Sequence, residues 1–192
     1  MKRAGWIVLI GALAVLPLAG GDFYVNLTSQ IFIAAIFASS LNLLVGYGGL
    51  PSLGHASWIG LAAYISGWLF LKMGLGHGIT APAALLGTTF IAGMFGWISL
   101  RATGLGFLML TLALSQVLWG TAYRWASVTN GDNGLSGLTR PTPFGISLEG
   151  PAAFYYFTLA VTVLAVWMMA KFVGSPFGAA LRGTRDQARR MS

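Results

Sequence analysis

Cysteine is absent from the 192 residues, which removes disulfides and thiolate metal sites and leaves the redox compartment unread. Acidic residues are almost as scarce: Asp22, Asp132, Glu149 and Asp186 are the only four, and they lie far apart. Charged residues of both signs make up 8% of the chain against 56% hydrophobic residues, too little charge to cover a water-facing surface. The solvent implied is lipid.

Charge is missing over long distances. Residues 23–71 hold no Asp, Glu, Lys or Arg, and one bilayer crossing takes roughly 20 apolar residues, so this stretch alone predicts two spans and a connection. Six candidate spans follow along the chain, at about 6–18, 27–45, 55–71, 81–100, 105–123 and 152–170, each able to satisfy its backbone only as a helix. The expected fold is therefore all-α and polytopic, a transmembrane domain over 1–170 with a basic tail over 171–192. The first span, with Lys2 and Arg3 before an apolar run, has the form of a signal peptide, but no clear small-residue cleavage site follows and a retained first helix is expected.

The basic residues give a formal charge of +7, which in a soluble chain would suggest nucleic acid. Here they sit at the ends of apolar runs, without the interleaved exposed aromatics of a nucleic-acid groove. Lys2, Arg3, Arg101, Lys171, Arg182, Arg185, Arg189 and Arg190 fall on one side of a six-span topology, and Lys72, Arg124 and Arg140 on the other. That excess predicts both termini in the cytoplasm.

The spans contain no interior carboxylate or lysine, so a proton relay handled by this chain is not expected. His55 lies at a span edge and His77 in a short loop, and two histidines with four scattered acids supply neither a nucleophile–base pair nor a metal set. No cofactor is expected on this chain. What remains is a polar, uncharged lining, with Thr28, Ser29, Gln30, Ser39, Ser40, Asn42, Ser52, Ser57, Thr111, Ser115 and Gln116, able either to hydrogen-bond between helices or to face a wet path.

Two stretches interrupt the spans. Residues 46–54 read GYGGLPSLG, too rich in glycine and proline for a continuous helix. Two readings stand: a tight loop between spans, or a discontinuous helix whose freed backbone groups line a polar pathway. On the second reading the path residues are Asn42, Gly46, Tyr47, Gly48, Gly49, Ser52, Gly54, His55, Thr111 and Gln116. Residues 124–150 form the longest polar connection, with the turn-forming core TNGDNGLSGLTRP. Its Asp132, Asn133 and Gly134 lack the alternating oxygen ligands of a calcium loop, and an outward docking or gating loop is expected instead. After the last span, Ser175 and Pro176 break the chain and a new helix is expected from Pro176, with Arg182, Arg185 and Arg189 spaced along one face.

Four stretches in order, LNLLVGYGGLPSLGHASWIGLAAY (41–64), RATGLGFLMLTLALSQ (101–116), TNGDNGLSGLTRP (129–141) and SPFGAALRGTRDQ (175–187), resemble signature regions of the branched-chain amino-acid ABC transporter permeases. The resemblance implies a permease subunit of an ATP-binding-cassette importer in the bacterial inner membrane. It would pair with a second permease, two cytoplasmic ATPases that use ATP, and a periplasmic substrate-binding protein. Asp132, Asn133 and Ser136 of the outward loop are the candidate contacts to that periplasmic partner, and the resemblance further implies that Arg182, Arg185, Asp186 and Arg189 lie at or just before the ATPase-coupling surface. Family members are longer, with further spans after this tail, so the chain is expected to correspond to their N-terminal part. A passive channel for a small neutral solute such as urea, and a non-transporting membrane subunit, are the alternatives from other classes.

Overall fold

The computed structural model describes residues 11–18, 21–143 and 147–186. All regular structure among the described residues is helical. Helix α1 covers 11–18; α2 is Asp22–Asn42, continued by a π-helical turn at Leu43–Tyr47; α3 is Ala56–Met73, α4 His77–Ser99, α5 Leu105–Arg124, the short α6 Ala126–Thr129, α7 Pro151–Val173 and α8 Pro176–Asp186. Lys2, Arg3 and residues 6–10 of the expected span 6–18 lie outside the described residues, as do Arg189 and Arg190.

Among the described residues, four helices are long and apolar enough to cross a bilayer: α2 with its π turn, α4, α5 and α7. Helix α3 has 18 residues, about 27 Å at 1.5 Å per residue, slightly under the roughly 30 Å hydrocarbon core. The chain is a multi-pass, all-α membrane protein.

Several boundaries move from their expected places, each for a local reason. Helix α2 starts at Asp22 rather than 27, because extended Gly21 ends the preceding segment and the Asp22 carboxylate sits favourably at the positive end of the helix dipole. Helix α4 starts at His77 rather than 81: extended Gly76 precedes it, and the His77 ring lies 4.3 Å from that of Phe70. His77 is thus a helix residue, not a loop residue. Helix α3 ends where Gly74 takes a left-handed φ of 64°, and α7 opens on Pro151, whose missing N–H costs nothing in a first turn.

Helix α2 packs along α7, and α3 along α4. Val25 and Phe32 of α2 meet Tyr155 and Leu159 of α7, with Leu13 and Leu16 of α1 against them. Tyr155 is completely buried, and its hydroxyl, which needs a partner in such a setting, donates to the Leu13 carbonyl at 2.6 Å. In the second pair, Gly87 of α4 faces Ile65 of α3, Trp58 meets Phe95 edge-on at 5.6 Å, and the Ser66 hydroxyl donates to Thr80 Oγ1 at 3.4 Å. Small residues and hydroxyls at these seams suit packing in lipid, where apolar burial alone does not drive association.

The connections gather at two ends. At one, Arg140 donates to the Glu149 carbonyl at 2.7 Å and to Asn26 Oδ1 at 3.0 Å, Thr142 N–H reaches His77 Nδ1 at 3.4 Å, and Leu135 and Leu138 close over Gly67. At the other lie the π turn, the corner between α7 and α8, and α8 itself. These are the loop end and the tail end.

Candidate functional site

The irregular segment joins the end of α2 to the start of α3. Gly46 and Tyr47, expected in the break, still belong to the π turn; the non-helical chain runs from Gly48 to His55. Gly49 ends the turn with a φ of +66°, accessible to glycine at little cost, and Leu50 N–H donates back to the Leu44 carbonyl at 3.2 Å. Pro51 then prevents any helical restart.

The segment does not stay at the surface. Leu53 N–H donates to Thr111 Oγ1 at 3.3 Å, and buried Gly54 lies so close to the Thr111 carbonyl that a Cβ would overlap it. Thr111 is six residues into α5, about 9 Å along its axis. His55 reaches the same level on the other side: its Nε2 is 2.8 Å from Ser40 Oγ, seven residues before the end of the π turn, and its ring lies 5.1 Å from that of Phe37. The chain therefore re-enters the bundle and α3 begins inside it. Irregular backbone at membrane depth persists only where protein or a wet cavity surrounds it, which favours the discontinuous reading over the tight loop.

The polar groups around this turn are shared rather than stranded. Ser40 Oγ also lies 2.8 Å from the Phe37 carbonyl; if its one hydrogen goes there, His55 Nε2–H is the donor to Ser40. The Ser57 hydroxyl donates to the Gly54 carbonyl at 2.6 Å, closing the first turn of α3.

Above this floor, a cleft of about 780 Å³ opens between α3 and α5 towards the loop end. Its walls are strongly aromatic, with Tyr64 and Trp68 from α3, Trp119 and Tyr123 from α5, and Trp125 beyond it; Ser57 lies at its base and Asp132 at its rim. Asp132 is held there because Thr129 donates to the Ala122 carbonyl at 2.5 Å and receives Gly131 N–H at 3.3 Å, while Asn130, at a φ of 64°, donates to the Gly134 carbonyl at 3.0 Å. Apolar walls with a few placed polar groups are what a solute site requires. An ammonium group would suit Asp132 and an apolar side chain the indoles.

The sequence-derived residues divide accordingly. Ser40, Gly54, His55, Ser57, Thr111 and Ser115 come together around the re-entrant turn, with Ser52 in the same segment. Asn42 packs its side-chain oxygen against Gly46 and is otherwise exposed, as is Gln116; neither lines the cleft. Asp132, Asn133 and Ser136 are exposed at the loop end. Arg182 and Arg185 turn towards their own chain: Arg182 donates to the Gly178 and Val173 carbonyls at 3.3 and 3.4 Å, and Arg185 to the Gly46 carbonyl at 2.5 Å. Asp186 is the last residue of α8, with its side chain outside the description. The aromatic wall was missed in the sequence, although Tyr64 and Trp68, and Trp119 and Tyr123, stand four apart and so share a helix face.

Residues 23–192 match the model of the branched-chain amino acid transport system / permease component family. The chain belongs to that family. Among curated relatives, the permease is 24% identical over 210 residues to the high-affinity branched-chain amino acid transport system permease protein LivM of Escherichia coli K12, covering 97% of this chain and 49% of the relative. To the same-named protein of Salmonella typhimurium LT2 it is 28% identical over 125 residues, covering 65% of this chain and 29% of the relative. The permease thus spans about half or less of the length of these relatives. No solved structure gives a significant match.

Proposed function

We propose that this permease forms part of the membrane pathway of an ATP-binding-cassette importer for branched-chain or related amino acids in a bacterial inner membrane. It would work with a second permease subunit, two cytoplasmic ATPases and a periplasmic binding protein. The observation that carries this reading is an aromatic cleft with Ser57, which bonds to the re-entrant turn, at its base, in a member of a transport permease family. A branched-chain amino acid has an apolar side chain for Trp68, Trp119 and Trp125 and an ammonium for Asp132, and the Ser57 hydroxyl is an uncharged polar group at the base of the cleft.

On this reading the loop end faces the periplasm and the tail end, which among the described residues carries Arg101, Lys171, Arg182 and Arg185, faces the cytoplasm. On this reading the work of transport comes from ATP hydrolysis by the partner ATPases. The test is uptake of radiolabelled leucine and urea into proteoliposomes holding the complete complex. Leucine uptake that needs both ATP and binding protein is the expected result, whereas ATP-independent urea flux would replace this reading with a passive channel. Trp119→Ala should raise the half-saturating leucine concentration about tenfold, the equivalent of about 1.4 kcal/mol of lost binding.

A further inference from the structure

We propose that Arg185 is a positioning residue, which fastens the tail helix α8 to the re-entrant turn so that movement of one moves the other. This rests on the permease reading for its purpose but on separate geometry for its existence.

The need for such a residue begins at the Gly46 carbonyl. A carbonyl near a helix end must find a donor four or five residues on, or elsewhere. Four residues on is Leu50, whose N–H is given to Leu44. Five on is Pro51, which has none. The Gly46 carbonyl is therefore left without a main-chain donor by the same residues that create the break, and Arg185 Nη1 supplies one at 2.5 Å. A guanidinium also suits that place electrostatically, at the negative end of the α2 dipole.

Room for the arginine is built into the turn. Gly49 lies under the Arg185 stem, where any Cβ would overlap Arg185 Cγ, and Leu181, one turn earlier on α8, would stand 3.7 Å from a Cβ on Gly48. The other end of α8 is equally constrained. Gly178 fits beneath the Phe172 and Val173 carbonyls, at distances that leave no space for a side chain, and Arg182 bonds across the same corner. Helix α8 is thus locked to α7 at its start and to the re-entrant turn near its end, while Phe177 remains largely exposed for a partner. Arg185 lies on the side of α8 that faces the turn, where it acts as a strut.

Two measurements test this. In the complete complex, Arg185→Ala should keep ATP hydrolysis within about twofold of the parent and lower leucine uptake at least tenfold, with Arg185→Lys in between. Gly49→Ala should reproduce the loss without touching the arginine. In the full chain in nanodiscs, hydrogen exchange of residues 46–55 should quicken at least fivefold in both variants, with α5 unchanged. If Arg185→Ala instead abolishes ATPase binding and leaves exchange of 46–55 unaltered, Arg185 is a docking residue and the strut is wrong; equal uptake in parent and variant overturns it as well. Absence of ATP-dependent uptake in the parent complex would defeat the permease reading alone, and the exchange result would still decide the strut.

Discussion

Gly54 illustrates how one missing Cβ sets the geometry of the turn. It lets the chain approach the Thr111 carbonyl on α5 more closely than any side chain allows, and that approach brings Leu53 N–H onto Thr111 Oγ1 and His55 under Ser40. Gly54→Ala must push the segment off α5, an overpacking that costs about 1–3 kcal/mol. Thermal unfolding in detergent should register it as a lower midpoint, and an unchanged midpoint would mean that the close approach contributes nothing. The Ser40–His55 pair is smaller in effect. A double-mutant cycle with Ser40→Ala and His55→Ala should give a coupling of about 0.6 kcal/mol, the average such cycles find for interhelical hydrogen bonds in membranes; zero coupling would make the pair incidental.

At the scale of elements, α3 is short because the turn occupies the depth its first turns would fill. This was partly legible: GYGGLPSLG announces a break through Gly49 and Pro51, and long uncharged runs announce the helices. The direction in which each helix faces was not. Apolar residues surround α2, α4, α5 and α7, so no amphipathic stripe points to neighbour or lipid, and the facing of Tyr64 and Trp119 across a cleft emerged only from tertiary packing. Arg185 was legible as basic tail but not as strut, since its partner lies 139 residues away. The loop end shows a comparable docking. Leu135 and Leu138 rest on Gly67 of α3, at 3.2 and 3.4 Å from where a Cβ would stand. Gly67→Val should therefore lift the loop, and thermolysin should cut near Leu135 or Leu138 several times faster than in the parent; an unchanged digestion rate would show that the loop is held elsewhere, for instance by Arg140.

The whole molecule leaves an unusual amount of itself uncovered. Its accessible surface is 12834 Å², against roughly 8,800 Å² for a compact soluble protein of 20.2 kDa by the usual mass scaling. Leu85, Leu86, Phe90, Met94 and Trp97 on α4, and Leu164, Trp167 and Met168 on α7, stand outward, as lipid-facing or subunit-facing residues do. At the tail end Arg101 lies over Trp97 at 4.8 Å and Lys171 over Trp167 at 4.9 Å, an arrangement in which long basic side chains reach the interface from an apolar helix. The same end carries α8, so Arg101, Lys171 and the strut share one end of the molecule. A chain with no cysteine permits a clean test of which side that is. In right-side-out vesicles an impermeant maleimide should label Asn133→Cys, at the exposed loop end, and should reach Phe177→Cys only after permeabilisation. The opposite pattern would invert the topology and place α8, with its hold on the re-entrant turn, out of reach of any cytoplasmic ATPase.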